Sequence, residues 1–218
     1  ILKREDPSKV LRKNTAYPKQ AFLFGLRWLL RKFNICANAY YNYLKNRKAD
    51  YHQKKDEIKK LEEEYAKHEC PVISNNSAHR FTPDVPMVVP ELNADHINII
   101  PEQRKRLGTK RGFIAVKSNC SLQSYVPALF PLHDKFGVKD VLVCTYQAIS
   151  GAGKTFDTWP EMIDNVIPYI GGEEEKSEKE PLKLWGKIES SEIKLADKPN
   201  FTAQCIRVPV SNGHLGAV

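Results

Sequence analysis

A cysteine at a predicted strand–helix junction is the strongest candidate for chemistry in this sequence. Cys120 lies in residues 117–121 (KSNCS), after a predicted strand and at the start of a predicted helix. A helix N-terminus favours a thiolate over a thiol, so this position predicts a lowered thiol pKa. A nucleophilic thiol also needs a proton-transfer partner, which is usually a histidine. His214, which follows Gly213, is the candidate, although a buried and inert cysteine is the more common case.

Arg207 and His214 belong to the same short stretch, residues 207–218 (RVPVSNGHLGAV). Side chains an odd number of residues apart point to opposite faces of an extended strand, and these two are separated by an odd number of positions. One strand therefore cannot bring both side chains to one site. We expect a turn at residues 211–213 to redirect the histidine.

The elements that must position these residues follow residue 70. Four apolar runs predict strands: 71–74 (PVIS), 84–90 (DVPMVVP), 112–116 (GFIAV) and 138–147 (VKDVLVCTYQ). The last is the strongest, because it is rich in β-branched residues and bounded by turns. Residues 121–136 predict a helix made irregular by two prolines, and residues 103–111 predict a solvated basic turn. Alternation of strands and helices predicts an α/β or α+β fold.

A competing motif lies at residues 148–155 (AISGAGKT), directly after the strongest strand. It differs at one position from the phosphate-binding pattern G-x-x-x-x-G-K-S/T, since Ala148 occupies the place of the first glycine. A true P-loop continues into a long helix whose N-terminus holds the phosphates. Residues 156–160 (FDTWP) interrupt that helix, so a nucleotide triphosphatase is disfavoured and a substrate-side turn is the alternative.

Composition bounds the class of protein. The chain has 218 residues, of which 41% are hydrophobic and 28% charged, so a folded core is expected. No apolar run approaches the ~18 residues of a membrane-spanning helix. Five cysteines without C-x-x-C spacing predict reduced thiols in a cytoplasmic protein, with neither a disulfide scaffold nor a metal centre.

The basic charge is confined to the first third of the chain. Residues 1–66 contain 16 Lys and Arg against 8 Asp and Glu, whereas residues 67–218 contain 18 of each. Such asymmetry indicates two parts with different roles. The overall excess of +8 is therefore no sign that the whole chain binds nucleic acid.

From about residue 62 to residue 218 the chain resembles the archaeal and fungal branch of the aspartate-semialdehyde dehydrogenase family. Six stretches carry the resemblance, in the order in which the family has them: PVISNNSAHR (71–80), DVPMVVPELN (84–93), SNCS (118–121), TYQAISGAGK (145–154), DNVIPYIGGEEEK (164–176) and RVPVSNGH (207–214). The resemblance implies NADP-dependent conversion of aspartyl phosphate to aspartate semialdehyde through a cysteine acyl-thioester, in the biosynthesis of lysine, threonine and methionine.

The resemblance assigns three catalytic positions. It implies that Cys120 is the nucleophile, that His214 is the general acid and base, and that Gln147 orients the intermediate.

The resemblance also assigns the substrate-binding positions. Arg207 would pair with the substrate α-carboxylate, for which a planar two-pronged donor is well suited. Glu173 would bind the amino group, although the adjacent Glu174 could fill that role. Arg80 and Lys176 match cations of the phosphate site, and Asn119 matches a polar neighbour of that site. Without the resemblance, Arg80 would be interpreted as a surface ion pair and residues 173–176 as a solvated helix start.

The implied fold class is α/β: an incomplete α+β catalytic domain of the semialdehyde dehydrogenase type, after an all-α basic N-terminal segment. We expect a basic helical segment at 1–66, a remnant of the dinucleotide-binding domain at 67–117, and a partial catalytic and dimerisation domain at 118–218. The implied ligands are NADP, aspartate semialdehyde or aspartyl phosphate, and inorganic phosphate. The implied assembly is a homodimer or homotetramer, and no membrane is implied as a partner.

One feature of a dinucleotide-binding domain is missing from the first third of the chain. Such domains hold the pyrophosphate at a glycine-rich turn after the first strand. Gly25 is the only glycine in residues 1–66. We therefore expect impaired NADP binding and impaired activity of the chain alone, and the cofactor-binding residues stay unknown.

Residues 15–60 resemble the helix-turn-helix region of insertion-sequence transposases. Helical periodicity breaks at Asn34, resumes at 37–44 and continues as a polar helix at 48–68. Basic and aromatic residues on the second helix would suit contacts to DNA. An amphipathic helical hairpin with a solvated basic face is the alternative. The competing hypothesis for function is thus a DNA-binding module at 1–66 joined to an inactive dehydrogenase remnant.

Overall fold

A computed structural model describes residues 37–218, with side chains from residue 52 onward. The chain divides into two units after Lys54, and the second unit is Lys55–Val218. The first described element is a single 31-residue helix, α1 (Ala37–Lys67), and not the two helices expected at 37–44 and 48–68. The predicted turn at Asn34 and the helix before it lie outside the described residues, so the helix-turn-helix stays a prediction.

Two short parallel strands follow α1. Strand β1 (Pro71–Ser74) pairs with β2 (Phe113–Val116), in a register that places Ile73 opposite Ala115. Parallel strands need a crossover connection, and here it contains α2 (Pro90–Asn93), a 3-10 turn (Ala94–Ile99) and α3 (Ile100–Leu107).

One expectation for this crossover is wrong and a second holds in part. Residues 84–90 form no regular strand; a single bridge joins Met87 to Val116. The segment 103–111 exposes Lys105, Arg106, Lys110 and Arg111 as expected, but it begins inside the helix α3, and Gln103 is fully buried. The Gln103 amide donates to the carbonyl of Asp84 and exchanges two hydrogen bonds with the Ile114 backbone, which explains how a polar side chain is accommodated there.

The C-terminal half is built on a three-stranded sheet. Strand β3 (Asp140–Gln147) confirms the strongest strand prediction and lies between its two partners. A 3-10 turn (Leu122–Ser124) and the helix α4 (Val126–Phe136) precede β3, and the helix α5 (Glu173–Leu184) follows it. The remaining strands are the hairpin β4 (Lys187–Glu189) and β5 (Glu192–Lys194), then β6 (Asn200–Arg207) and β7 (His214–Ala217).

Sheet register brings three distant residues into one row. β6 runs parallel to β3 with Arg207 opposite Gln147, and β7 runs antiparallel to β3 with His214 opposite the same Gln147. The expected turn at 211–213 reverses the chain between β6 and β7, and Gly213 supports it with a φ of +93°.

A buried apolar cluster supports this frame, with Met87, Ile114, Leu122, Val126 and Val143 among its members. The architecture is a mixture of helices and sheets, which confirms the α/β fold class. None of the helices in residues 37–218 is both long enough and apolar enough to cross a membrane. Within the same residues, no three His, Cys, Asp or Glu side chains are grouped as metal ligands would be.

Candidate active site

The thiol of Cys120 lies against the imidazole of His214. The Cys120 Sγ to His214 Nε2 distance is 3.2 Å, and the cysteine is exposed to solvent. The expected helix N-terminus is elsewhere, because α4 begins only at Val126. A helix dipole acts within its first turn, so the histidine is the group positioned to activate this thiol.

The environment of His214 favours its neutral form. Burial lowers the pKa of His214, and the positive charge of Arg207 lowers it further. A neutral imidazole can accept the thiol proton at neutral pH, which a protonated one cannot. Nδ1 of His214 is buried and makes no well-formed hydrogen bond within residues 52–218, so the described pair is a dyad and not a triad.

Arg207 supplies a positive charge beside this dyad. It is 5% exposed, and its NH1 donates to the carbonyl oxygen of Ala148 over 2.7 Å. Burial lowers the pKa of the Arg207 guanidinium, and the negative charge of Glu173 opposes that effect. An arginine stays protonated in proteins, so Arg207 offers a planar cation next to Cys120 and His214.

Glu173 faces the same space from the first turn of α5. Its Oε2 accepts from Nδ2 of Asn119 at 2.7 Å and from Nε2 of Gln147 at 3.5 Å, and its Oε1 accepts from Lys176 at 2.7 Å. Burial raises the pKa of Glu173, but the hydrogen bonds from Lys176 and Asn119 outweigh it, and the pKa falls below its ordinary value. Glu174 points elsewhere, since its Oε1 accepts from the backbone N–H of Cys205.

Asn119, which precedes Cys120, is hydrogen-bonded through its side chain and its backbone N–H. Its Nδ2 donates to Glu173, its Oδ1 accepts from both the N–H and the hydroxyl of Ser121, and its own N–H donates to Glu180. The residues on both sides of Cys120 are therefore fixed by hydrogen bonds.

Arg80 and Lys176 are placed differently from each other. Lys176 is partly exposed and pairs with Glu173. Arg80 is 6% exposed, and each of its three guanidinium nitrogens donates a hydrogen bond: to Glu180, to the Lys117 carbonyl and to the Asn75 carbonyl. The ion pair of Arg80 is thus buried and not on the surface, and phosphate binding by this residue stays a prediction.

Two family models match the chain. "Semialdehyde dehydrogenase, NAD binding domain" matches residues 52–100, and "Semialdehyde dehydrogenase, dimerisation domain" matches residues 129–218. The aspartate-semialdehyde dehydrogenase of Aspergillus fumigatus is 42% identical over 161 residues, and that of Archaeoglobus fulgidus is 44% identical over 163 residues. From residue 52 onward, the chain belongs to the aspartate-semialdehyde dehydrogenase family.

The similarity covers part of each protein. It spans 72% and 75% of this chain, but only 44% of the Aspergillus enzyme and 47% of the Archaeoglobus enzyme. The chain thus spans less than half the length of these curated relatives. A crystal structure of the Candida albicans aspartate semialdehyde dehydrogenase with NADP superposes with a TM-score of 0.63 at 36% identity, over 72% of this chain and 45% of that one.

The P-loop-like stretch lies beside Arg207 and His214. Residues Ile149–Ala152 form a 3-10 turn, and the next α-helix, α5, begins only at Glu173. Gly151 packs against the side chains of Arg207 and His214: a Cβ on this glycine would lie 2.8 Å from NH1 of Arg207 and 3.0 Å from Cε1 of His214. The stretch therefore lacks the helix that a P-loop requires, and the substrate-side turn stays a prediction.

Sequence reasoning missed two residues that touch the site residues. Glu180 escaped notice because it lies outside the quoted stretches, and Gly151 was quoted in TYQAISGAGK and in the competing motif without a role of its own. A signal for Glu180 existed: it lies seven residues after Glu173, which is two helical turns and therefore the same face of α5.

Proposed function

We propose that this chain carries the catalytic residues of an aspartate-semialdehyde dehydrogenase, and that Cys120 forms the covalent bond to the substrate. One observation carries the proposal: Cys120 lies 3.2 Å from His214, which shares a sheet row with Gln147 and Arg207. The reaction is the NADP-dependent and reversible conversion of aspartyl phosphate to aspartate semialdehyde. Family membership of residues 52–218 supports this assignment.

The dyad performs the addition step. As Cys120 Sγ attacks the aldehyde carbon, its proton passes to Nε2 of His214, and the same nitrogen returns a proton to the new alkoxide. The product is a thiohemiacetal on Cys120. Oxidation of this adduct to the acyl thioester would transfer its hydride to NADP, and Nε2 of His214 would take the hydroxyl proton. A phosphate oxygen then attacks the carbonyl carbon and the Cys120 thiolate leaves, giving aspartyl phosphate.

Charged residues orient the substrate around that thiol. Arg207 pairs with the α-carboxylate, and Glu173 accepts from the α-ammonium group, which its lowered pKa favours. Gln147 lies between Arg207 and His214 in the sheet register and holds the reacting group. Glu173 is preferred over Glu174 because only Glu173 contacts Asn119 and Gln147.

The phosphate site is assigned to Lys176, Asn119 and Arg80. Lys176 is the accessible cation, and its ion pair with Glu173 is partly solvated, so an anion can compete for it. Arg80 uses three of its five N–H donors within the protein, so a further N–H group is available for a phosphate oxygen.

NADP is the proposed cofactor, because residues 52–100 match the NAD binding domain and the Candida relative was solved with NADP. When bound, it supplies the hydride acceptor. The described residues do not form its pyrophosphate cradle: the glycines between residues 52 and 116 are Gly108, which ends α3, and Gly112, which packs against the Ala66 carbonyl. The roles assigned above to Cys120, His214, Gln147, Arg207 and Glu173 do not depend on where that cradle lies.

Protection of Cys120 tests the proposal without the cofactor. Iodoacetamide labels free thiols, and mass spectrometry reports each cysteine separately. We expect L-aspartate semialdehyde to slow the labelling of Cys120 but not of the exposed Cys70, and an Arg207→Met variant to lose this protection. A labelling rate of Cys120 that does not change in millimolar semialdehyde would contradict the proposal. Phosphate-dependent NADPH formation, with Cys120→Ala as control, is the complementary assay.

The outer face of the sheet is the proposed dimer surface. Leu142 is 72% exposed and Leu215 is 65% exposed, and Tyr146 lies opposite Leu215 on the face away from the catalytic row. Exposed apolar faces indicate protein contacts, and the match of residues 129–218 to a dimerisation domain supports a second copy as the occupant.

Introducing a charge on this face tests the dimer. Leu215→Glu is expected to shift the chain towards the monomer in sedimentation velocity, because a dimer would bury the new carboxylate against an apolar surface. Leu195→Glu, on an exposed apolar residue after β5, is the matched control. An unchanged dimer in Leu215→Glu would place the interface elsewhere.

A further inference from the structure

A buried carboxylate lies behind the nucleophile. Glu180, on α5, is fully buried, and both of its oxygens accept a hydrogen bond. Oε1 accepts from NH1 of Arg80 at 2.8 Å, and Oε2 accepts from the backbone N–H of Asn119 at 2.7 Å. Burial is unfavourable for a carboxylate, so its presence requires these two donors.

Arg80 also binds the backbone before Cys120. Its Nε donates to the carbonyl oxygen of Lys117 at 3.0 Å, and its NH2 donates to the carbonyl oxygen of Asn75. The Glu180–Arg80 pair therefore holds two backbone groups, the Lys117 carbonyl and the Asn119 amide, immediately before Cys120. In the described structure Cys120 is exposed, so this fixation comes from its neighbours and not from packing of its own side chain.

From these contacts we infer that Glu180 is a positioning residue, which aligns Cys120 with His214 by holding the Asn119 amide. The inference rests on the proposed Cys120–His214 dyad and adds a residue that touches neither substrate nor cofactor. The 3.2 Å contact between Sγ and Nε2 depends on the backbone before the cysteine, and a small displacement of that backbone weakens proton transfer to the histidine.

Replacement of Glu180 by glutamine removes one acceptor with little change of shape. Glutamine offers one oxygen and one NH2 group, so either the Asn119 amide or the Arg80 guanidinium faces a donor. Glu175→Gln is the matched control, because Glu175 is exposed on the same helix. The experiment uses the full chain and needs no substrate or NADP.

The readout is the rate of iodoacetamide labelling of Cys120 divided by that of Cys70. Cys70 is exposed and reports the reactivity of an ordinary thiol, while the buried Cys205 reports unfolding. We expect Glu180→Gln to lower the ratio at least about tenfold, with Cys205 unlabelled, because a lost charge-assisted hydrogen bond is of that order. In Glu175→Gln the ratio should stay within about twofold, as for an exposed charge.

A second variant separates positioning from stability. Arg80→Met combined with Glu180→Met removes both charges and so leaves no unpaired buried ion, which protects the fold. Positioning predicts that its labelling ratio stays low, since the Asn119 amide still lacks an acceptor. A wild-type ratio in this double variant, or in a folded Glu180→Gln, would overturn the inference.

The inference and the proposed function fail in different ways. A ratio near one in the unsubstituted chain would overturn both, because no activated thiol would exist. A raised ratio that falls in Glu180→Gln, without protection by semialdehyde, would support the positioning role and contradict the proposed substrate.

Discussion

Replacing Gly151 by alanine tests how closely the turn after β3 approaches the dyad. The backbone of Gly151 is not in the left-handed region, so alanine is conformationally acceptable there. Its Cβ would lie 2.8 Å from NH1 of Arg207 and 3.0 Å from Cε1 of His214. Both atoms belong to side chains, which must move to accommodate the methyl group.

The required movement can be read from these distances. Ordinary contact of a Cβ begins at 3.4 Å, so NH1 of Arg207 must retreat by about 0.6 Å. That atom already donates to the Ala148 carbonyl at 2.7 Å, and its retreat weakens this bond. A displacement of 1 Å at a reacting group can cost about 100-fold in rate, so we expect a loss of about tenfold. The free energy of unfolding should change by less than about 1 kcal/mol, because alanine also stiffens the unfolded chain.

Labelling of Cys120 relative to Cys70 measures this loss without any cofactor. Gly171→Ala is the control, since a Cβ at Gly171 meets no atom within 4 Å and its φ is also ordinary. We expect a ratio about tenfold lower in Gly151→Ala and unchanged in Gly171→Ala. Equal ratios in both variants would refute the argument that the turn is packed directly against the working groups.

Two further predictions concern α5. The fully engaged Lys183 donates to three backbone carbonyls, and burial lowers its pKa to about 8. Between pH 8 and 10.5 the folded state then binds fewer protons than the unfolded state, so the free energy of unfolding rises with pH. In urea unfolding, the exposed control Lys179→Met should show a rise of about 2 kcal/mol from about pH 7.5 to 9.5, and Lys183→Met should show no such rise. Equal rises in the two variants would refute the lowered pKa of Lys183. Secondly, Glu173→Gln should weaken protection of the nucleophile by semialdehyde about tenfold. Glu174→Gln should leave protection nearly intact, and the reverse order would move the amino-group ligand to Glu174.

Local patterns in the sequence were sufficient for some elements. The β-branched run before Gln147 predicts β3, which the structure has at Asp140–Gln147, because side-chain periodicity and burial agree over the whole strand. In contrast, residues 84–90 satisfy the same apolar pattern without forming a ladder. Their only bridge joins Met87 to Val116, since a run of apolar residues predicts burial and not the presence of a pairing partner.

The same division holds in the site. Cys120 and His214 could be named from the sequence, through their residue types and the family stretches around them. The distance of Cys120 from a helix N-terminus could not be predicted, because it depends on where α4 begins. The buried ion pair of Arg80 could not be predicted from the sequence either, since its partner Glu180 is 100 residues away along the chain.

By itself, the sequence determined which functional groups this protein possesses and, through its ordered stretches, the enzyme family that uses them. Only the tertiary structure decided that Arg207 and His214 flank Gln147 in one row, and that the carboxylate of Glu180 holds the amide before Cys120. The physical reason is that side-chain chemistry and periodicity are local properties of the chain. Strand register and the choice of a buried ion's partner are settled by long-range packing, in which each charge must find a donor or acceptor.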